Sequence, residues 1–217
     1  METIDISLKD EYPSCALSTL NEYHFVLDGI ECASMEGFLQ SLKIRDVEDQ
    51  RQVCRMVGAD AKIWGSQHSG WKEDQTLYWL GKKYYRHSDE YLDLVLRAFF
   101  ECSKQNNDFV KALLATGEKK LTHSIGKKDP FDTILTEDEF CLLLTKLRFH
   151  WKNSNEFKEI SIIVVLGLII GVFFGFFSGN YLKGFCAFFA TFGLVGLVYF
   201  SNELYHPRMK LKFMKKP

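Results

Sequence analysis

Three side chains at helical spacing make the first candidate for chemistry: Glu36, Gln40 and Lys43 stand at i, i+4 and i+7. At about 100° per residue they lie within roughly 60° of one another on a helix. A carboxylate, an amide and an amine then share one flank, about 115° from the centre of the apolar stripe made by Met35, Phe38, Leu39 and Leu42. Negative charge is favoured near a helix N-terminus. An acid at position 36 therefore suits a charge stabiliser or a base. The amide and amine suit a phosphate or a hydroxyl. A solvated helix face has the same composition, and both readings stand at this point.

A second group lies far along the chain. Lys127 and Lys128 follow Ser124-Ile125-Gly126 and precede Asp129-Pro130. The two amines and a glycine-bearing loop suit a phosphate, or the amines are a solvated charge pair. Asp129 is either a second carboxylate or a turn residue before the proline. His123 is a candidate proton donor. No GxxxxGK[ST] phosphate loop, HExxH or CxxC occurs. The cysteines (Cys15, Cys32, Cys54, Cys102, Cys141, Cys186) are scattered and read as reduced core residues. No metal site and no cofactor are expected.

The elements that must position these groups read as mainly α, an α+β domain with a minor sheet. Residues 23–32 form a hairpin turning at Asp28-Gly29. Residues 34–44 form a helix capped by Ser34, and 46–57 a second capped by Asp46 and stopped at Gly58. Residues 60–75, with Trp64 and Trp71, read as a loop. Residues 76–101 carry helical signals, with Tyr91, Leu92, Val95, Phe99 and Phe100 on the buried face. Another helix is marked by Phe109, Val110, Leu113 and Leu114 and ends at Thr116-Gly117. Thr136 to Glu139 is a capping box for a last helix that buries Phe140, Leu143, Leu144 and Leu147.

Residues 28–43, DGIECASMEGFLQSLK, resemble the signature of the NADAR (NAD- and ADP-ribose-associated) N-glycosidases: an Asp-Gly turn, then Ser/Thr-x-Glu-His-x-x-x-Gln-x-x-Lys. The likeness extends to Leu17-Ser18-Thr19, to LLATGEKKLTHS at 113–124 and to the stretch from Asp129, so it spans the whole first domain. It looks like a variant branch found in phage and bacterial genomes. The pattern's histidine is Gly37 here, and its late Asp-x-x-Trp-Gly is Asp129-Pro130-Phe131-Asp132-Thr133. The resemblance implies hydrolysis of an N-glycosidic bond, with Glu36 and Asp129 as catalytic carboxylates. Gln40, Lys43, Lys127 and Lys128 would bind substrate, and Trp71 or Trp64 would replace the missing aromatic. The implied partner is an ADP-ribosylated base or a related ribosyl-phosphate metabolite. The alternative is an inactive ADP-ribose- or NAD-binding sensor.

Charge and hydropathy divide the chain. Residues 1–159 carry 21 Lys+Arg against 27 Asp+Glu, which disfavours general duplex nucleic-acid binding. Residues 160–182 and 184–202 lack charged side chains and predict a two-helix transmembrane hairpin. The expected organisation is a domain at 1–149, a linker at 150–159, the two spans, and a basic tail at 203–217. The bases flanking the hairpin predict a multi-pass membrane protein with both termini cytoplasmic, and lipid as a partner. Gly167, Gly171 and Gly175 would let the two spans, or a second copy of the chain, approach closely.

Overall fold

The computed structural model describes residues 2–154 and Val165. Strand β1 (Thr3–Asp5) leads through a 3-10 turn (Cys15–Leu17) to the hairpin β2 (Phe25–Leu27) and β3 (Ile30–Cys32). Four helices follow: α1 (Met35–Ser41), α2 (Val47–Cys54), α3 (Gly58–Ser66) and the short α4 (Trp71–Asp74). A second hairpin, β4 (Thr76–Trp79) and β5 (Lys82–Tyr85), precedes α5 (Asp89–Gln105), α6 (Asn107–Ala115) and β6 (Lys120–Thr122). Helix α7 is described over 137–154. Residues up to Phe149 belong to one compact unit and His150 begins another. Residues 150–154, expected as the start of a linker, are helical.

Short-range chemistry explains most of these elements. Asp28 and Gly29 take φ of 51° and 81°, and Leu27 pairs with Ile30 across the two-residue turn. That is the geometry an Asp-Gly pair favours. Asp28 is also held from outside, by the Trp79 indole N–H at 2.8 Å and by Arg97. Ser34 caps α1 by accepting from Gly37 N at 2.9 Å, and its hydroxyl donates to Met56 O at 2.9 Å. Asp46 caps α2 through Glu48 N and Asp49 N. Thr136 and Glu139 exchange the reciprocal bonds of a capping box at the start of α7.

Helix α1 is the hub. All seven of its residues are buried, and it packs on α2, α3, α5 and β3. Phe38 meets Phe25 and Trp79 edge-on, with ring centroids 6.5 and 5.2 Å apart. The approach of α1 to the end of α2 is so close that a Cβ at Gly37 would lie 2.6 Å from Met56 O and 2.9 Å from Cys54 O. Backbone carbonyls cannot step aside cheaply. A histidine, as the resemblance pattern has it, does not fit there. Gly37→Ala is therefore expected to cost about 1–3 kcal/mol by overpacking, read as a lower midpoint in urea.

Two stretches differ from the sequence reading. Residues 60–75 are α3 and α4 rather than loop, and Gly58, at φ 55°, opens α3. Residues 76–85, expected as helix, are the β4–β5 hairpin, turning at Leu80 and Gly81 with φ of 50° and 79°. Thr76, Tyr78, Trp79, Tyr84 and Tyr85 prefer a pleated surface, and Tyr78 N donates to Leu42 O at 2.8 Å, tying the hairpin to the end of α1. Strands β1 and β6 pair in parallel, Thr3 opposite Lys120.

The membrane location read from the sequence is corrected: among the described residues no helix is long and apolar enough to cross a membrane. The spans expected at 160–182 and 184–202, with the Gly167/Gly171/Gly175 stripe and the tail at 203–217, lie outside the described residues apart from Val165.

Candidate active site

A cleft of about 700 Å³ opens beside α1. Its lining takes Glu36, Gln40 and Lys43 from α1, Gly65 from α3 and Trp71 and Lys72 from α4. Thr19, His123, Lys127 and Asp132 come from the loops opposite.

Glu36 is buried, with only 9 % of the residue exposed. Its two carboxylate oxygens accept from Thr19 Oγ1 at 2.7 Å and Gln40 Nε2 at 2.8 Å. Its backbone N–H donates to Thr19 O at 2.9 Å. The solvated-face reading of this flank thus fails, because α3 and the loop at Thr19 cover it. Gln40 is held in turn by Gly65, where a Cβ would fall 1.8 Å from Gln40 Oε1. The amine of Lys43 donates to Gly65 O at 2.6 Å. Burial, with Lys72 and Lys127 adding positive charge, lowers its pKa to about 8 against the pull of Glu36.

Two polar atoms of the lining are buried without a hydrogen-bond partner among the described residues: the acceptor Gln40 Oε1 and the donor Trp71 Nε1. Such atoms are costly in a core and common where a ligand completes the bonding. His123 Nδ1 lies 2.6 Å from Ile6 O. A carbonyl only accepts, so Nδ1 bears a proton and donates it to Ile6 O.

Of the residues proposed from sequence, Glu36, Gln40, Lys43, Trp71, Lys127 and His123 come together here. Asp129 does not. It is exposed, and its Oδ1 accepts from Phe131 N at 2.9 Å, the turn role that a residue before proline can fill. Lys128 is also outside the lining; its side chain is 84 % exposed and its amine faces Glu137 at 3.9 Å. Trp64 lies outside too, stacked on His68 at 3.6 Å between centroids.

Asp132 is the acid that reaches the cleft. It bridges Lys127, at 2.5 Å, and Lys72. Those ammonium groups hold its pKa near 2. Sequence reasoning missed Thr19, Lys72 and Asp132. Thr19 sits in the Leu17-Ser18-Thr19 motif and Asp132 occupies the place of the pattern's tryptophan, so both had a signal. Lys72 had none.

The wall that carries Asp132 is pinned from behind. Arg86, fully buried, donates from Nε to Thr133 O at 2.8 Å and grips both oxygens of Glu139 at 3.1 and 2.6 Å. Tyr91 OH donates to Ile134 O at 2.6 Å. Among the described residues no group of three His, Cys, Asp or Glu could hold a metal ion.

A family model described as Bacteriophage protein GP30.3 matches residues 11–149. The chain belongs to this GP30.3 family. A protein of Enterobacteria phage T4, described as "Uncharacterized 17.1 kDa protein in Gp30-rIII intergenic region", is 40% identical over 151 residues, covering 68% of this chain and 98% of that one. In fold the GP30.3-type domain is similar to the E. coli protein YbiA, solved by NMR, with a TM-score of 0.50 and 17% identity over 71% of this chain and 87% of YbiA. The likeness to YbiA supports an α+β domain of that fold.

Proposed function

We propose that this GP30.3-family domain hydrolyses the N-glycosidic bond of a phosphorylated ribosyl compound, an ADP-ribosylated base or a related ribosyl-phosphate metabolite. The observation that carries the reading is Glu36: a buried carboxylate, oriented by Thr19 and Gln40, inside a cleft otherwise rich in lysine. The acidic balance of residues 1–159 makes that lysine lining a local feature aimed at an anion.

In the proposed reaction the C1–N bond breaks and its electron pair leaves with the base nitrogen. Positive charge grows on C1 and the ring oxygen, and Glu36 stabilises it. Water adds to C1, and its proton passes through Glu36 to the departing nitrogen, which returns Glu36 to the carboxylate. The orphaned Gln40 Oε1 and Trp71 Nε1 supply an acceptor and a donor for ribose hydroxyls or the base edge. Release of free base from a ribosylated substrate, compared between wild type and Glu36→Gln, tests the reading. Binding of ADP-ribose without any release of base would replace it with a sensor.

Lys43 favours a second route through the same site. A desolvated amine beside other cations is a candidate nucleophile. Its neutral form would attack C1, the base would leave with the C1–N electrons, the amine proton would pass through Glu36 to the base, and water would then displace the amine. The ribosylamine so formed is in equilibrium with an open-chain imine, in which the C1–ring-oxygen bond has broken and the oxygen has taken up the amine proton; borohydride added during turnover then separates the routes, a reduced ribosyl adduct on Lys43 selecting the covalent one and its absence direct attack by water.

Either way, the charge of Lys43 bears on anion binding. With a pKa of about 8 the ammonium is present below that pH and is lost above it. Affinity for ribose 5-phosphate, followed by calorimetry, is expected to be highest below pH 8 and to weaken about three- to tenfold between pH 7 and 9.5. A flat profile over that window would remove Lys43 from the binding site.

A further inference from the structure

We propose that Lys72 and Lys127 form an anion subsite of the cleft, and that Asp132 is its resident counter-ion, displaced when a phosphate group of the ligand arrives. The proposal rests on the reading of the cleft as a ribosyl-phosphate site for its ligand class, and not on the hydrolysis.

Four observations carry it. First, two ammonium groups from separate segments, α4 and the loop after His123, converge on one carboxylate that lines the cleft. Second, the loop bearing that carboxylate is held on both sides. Gln75 donates to Phe131 O at 3.2 Å, Arg86 to Thr133 O and Tyr91 to Ile134 O. Displacement therefore needs only a side-chain rotation, with no opening of the backbone. Third, the Asp132 side chain is 46 % exposed, so turning it into water costs little desolvation. Fourth, the charge balance asks for an anion. With Asp132 turned away, Lys72, Lys127 and Lys43 would face one another with Glu36 as the remaining acid among these groups. The influence of both lysines on Lys43 shows that the three share one electrostatic neighbourhood.

The position is informative because the resembled pattern has tryptophan where this chain has Asp132. An aromatic there would select a ligand by stacking. A carboxylate between two lysines selects by charge, because only an anion able to outcompete it gains the site. A neutral nucleoside leaves the Asp132 bridge intact, whereas a phosphorylated one breaks it. Asp132 is thus a specificity-determining residue, distinct in role from Glu36.

Titration of the full chain with inorganic pyrophosphate, followed by calorimetry at low ionic strength, tests this. Asp132→Asn removes the competing charge with almost no change of shape and is expected to tighten pyrophosphate binding about tenfold. Lys72→Ala and Lys127→Ala should each weaken it, and the melting temperature of each variant confirms that it is folded. Unchanged or weaker binding by Asp132→Asn would overturn the proposal, since the carboxylate would then be holding the lysines in place for the ligand. The outcome is independent of turnover. Tighter pyrophosphate binding in a protein that releases no base would sustain the subsite and dismiss the glycosidase. Base release with an Asp132→Asn affinity equal to wild type would do the reverse.

Discussion

Glu36→Gln is expected to lower base release by about 10²–10³-fold or more while leaving the fold in place. The substitution keeps shape and removes charge. Gln40 Nε2 can go on donating to the retained oxygen, 2.8 Å away in the native structure. The Thr19 hydroxyl, which donates to the other oxygen at 2.7 Å, can rotate and accept from the new amide instead. The bonding at this buried position is therefore conserved, and the melting temperature should move by no more than about 2 °C. What disappears is the negative charge beside C1, at the stage where positive charge develops. Chromatographic measurement of free base, alongside thermal melting, reads both effects. Wild-type turnover in the variant would eliminate Glu36 as the charge stabiliser.

The largest effect on stability is expected at Arg86. Arg86→Met should cost about 3–5 kcal/mol, because it leaves Glu139 without its buried partner. The side chains are 1% and 18% exposed, so water does not replace the lost bonds fully. The guanidinium also supplies a donor to Thr133 O and lies over the Tyr91 ring at 5.3 Å. Its removal loosens residues 131–136 and, with them, Asp132 in the cleft wall. The expected drop in melting temperature is on the order of 10 °C. Arg86→Lys should fall between, since an ammonium keeps the charge but cannot match both carboxylate oxygens at once. Urea denaturation of the three proteins measures the series. A loss below about 1 kcal/mol in Arg86→Met would mean that apolar packing alone holds this wall.

Local signals in the chain carried a good part of the architecture. The Asp28-Gly29 turn, the Ser34 and Asp46 caps, the Thr136 capping box and the stripes Met35/Phe38/Leu39/Leu42 and Phe140/Leu143/Leu144/Leu147 all appear as expected. Each depends on bonds between residues a few positions apart, or on the period of one helix, and such terms are written in consecutive residues. The i, i+4, i+7 set of Glu36, Gln40 and Lys43 was visible for the same reason. Whether that flank met water or a cleft was not, because the answer depends on α3 and on Thr19, which the spacing along α1 cannot reveal. Residues 76–85 became strands because pairing between β4 and β5, and contact with the end of α1, outweighed the helical signals. Asp129 and Asp132 are three residues apart in one loop, and composition does not rank them. Bonds from Arg86 and Tyr91, more than forty residues earlier in the chain, set the loop so that Asp132 reaches the cleft and Asp129 closes a turn outside it. Contacts between distant segments, which no short window of sequence contains, made that choice.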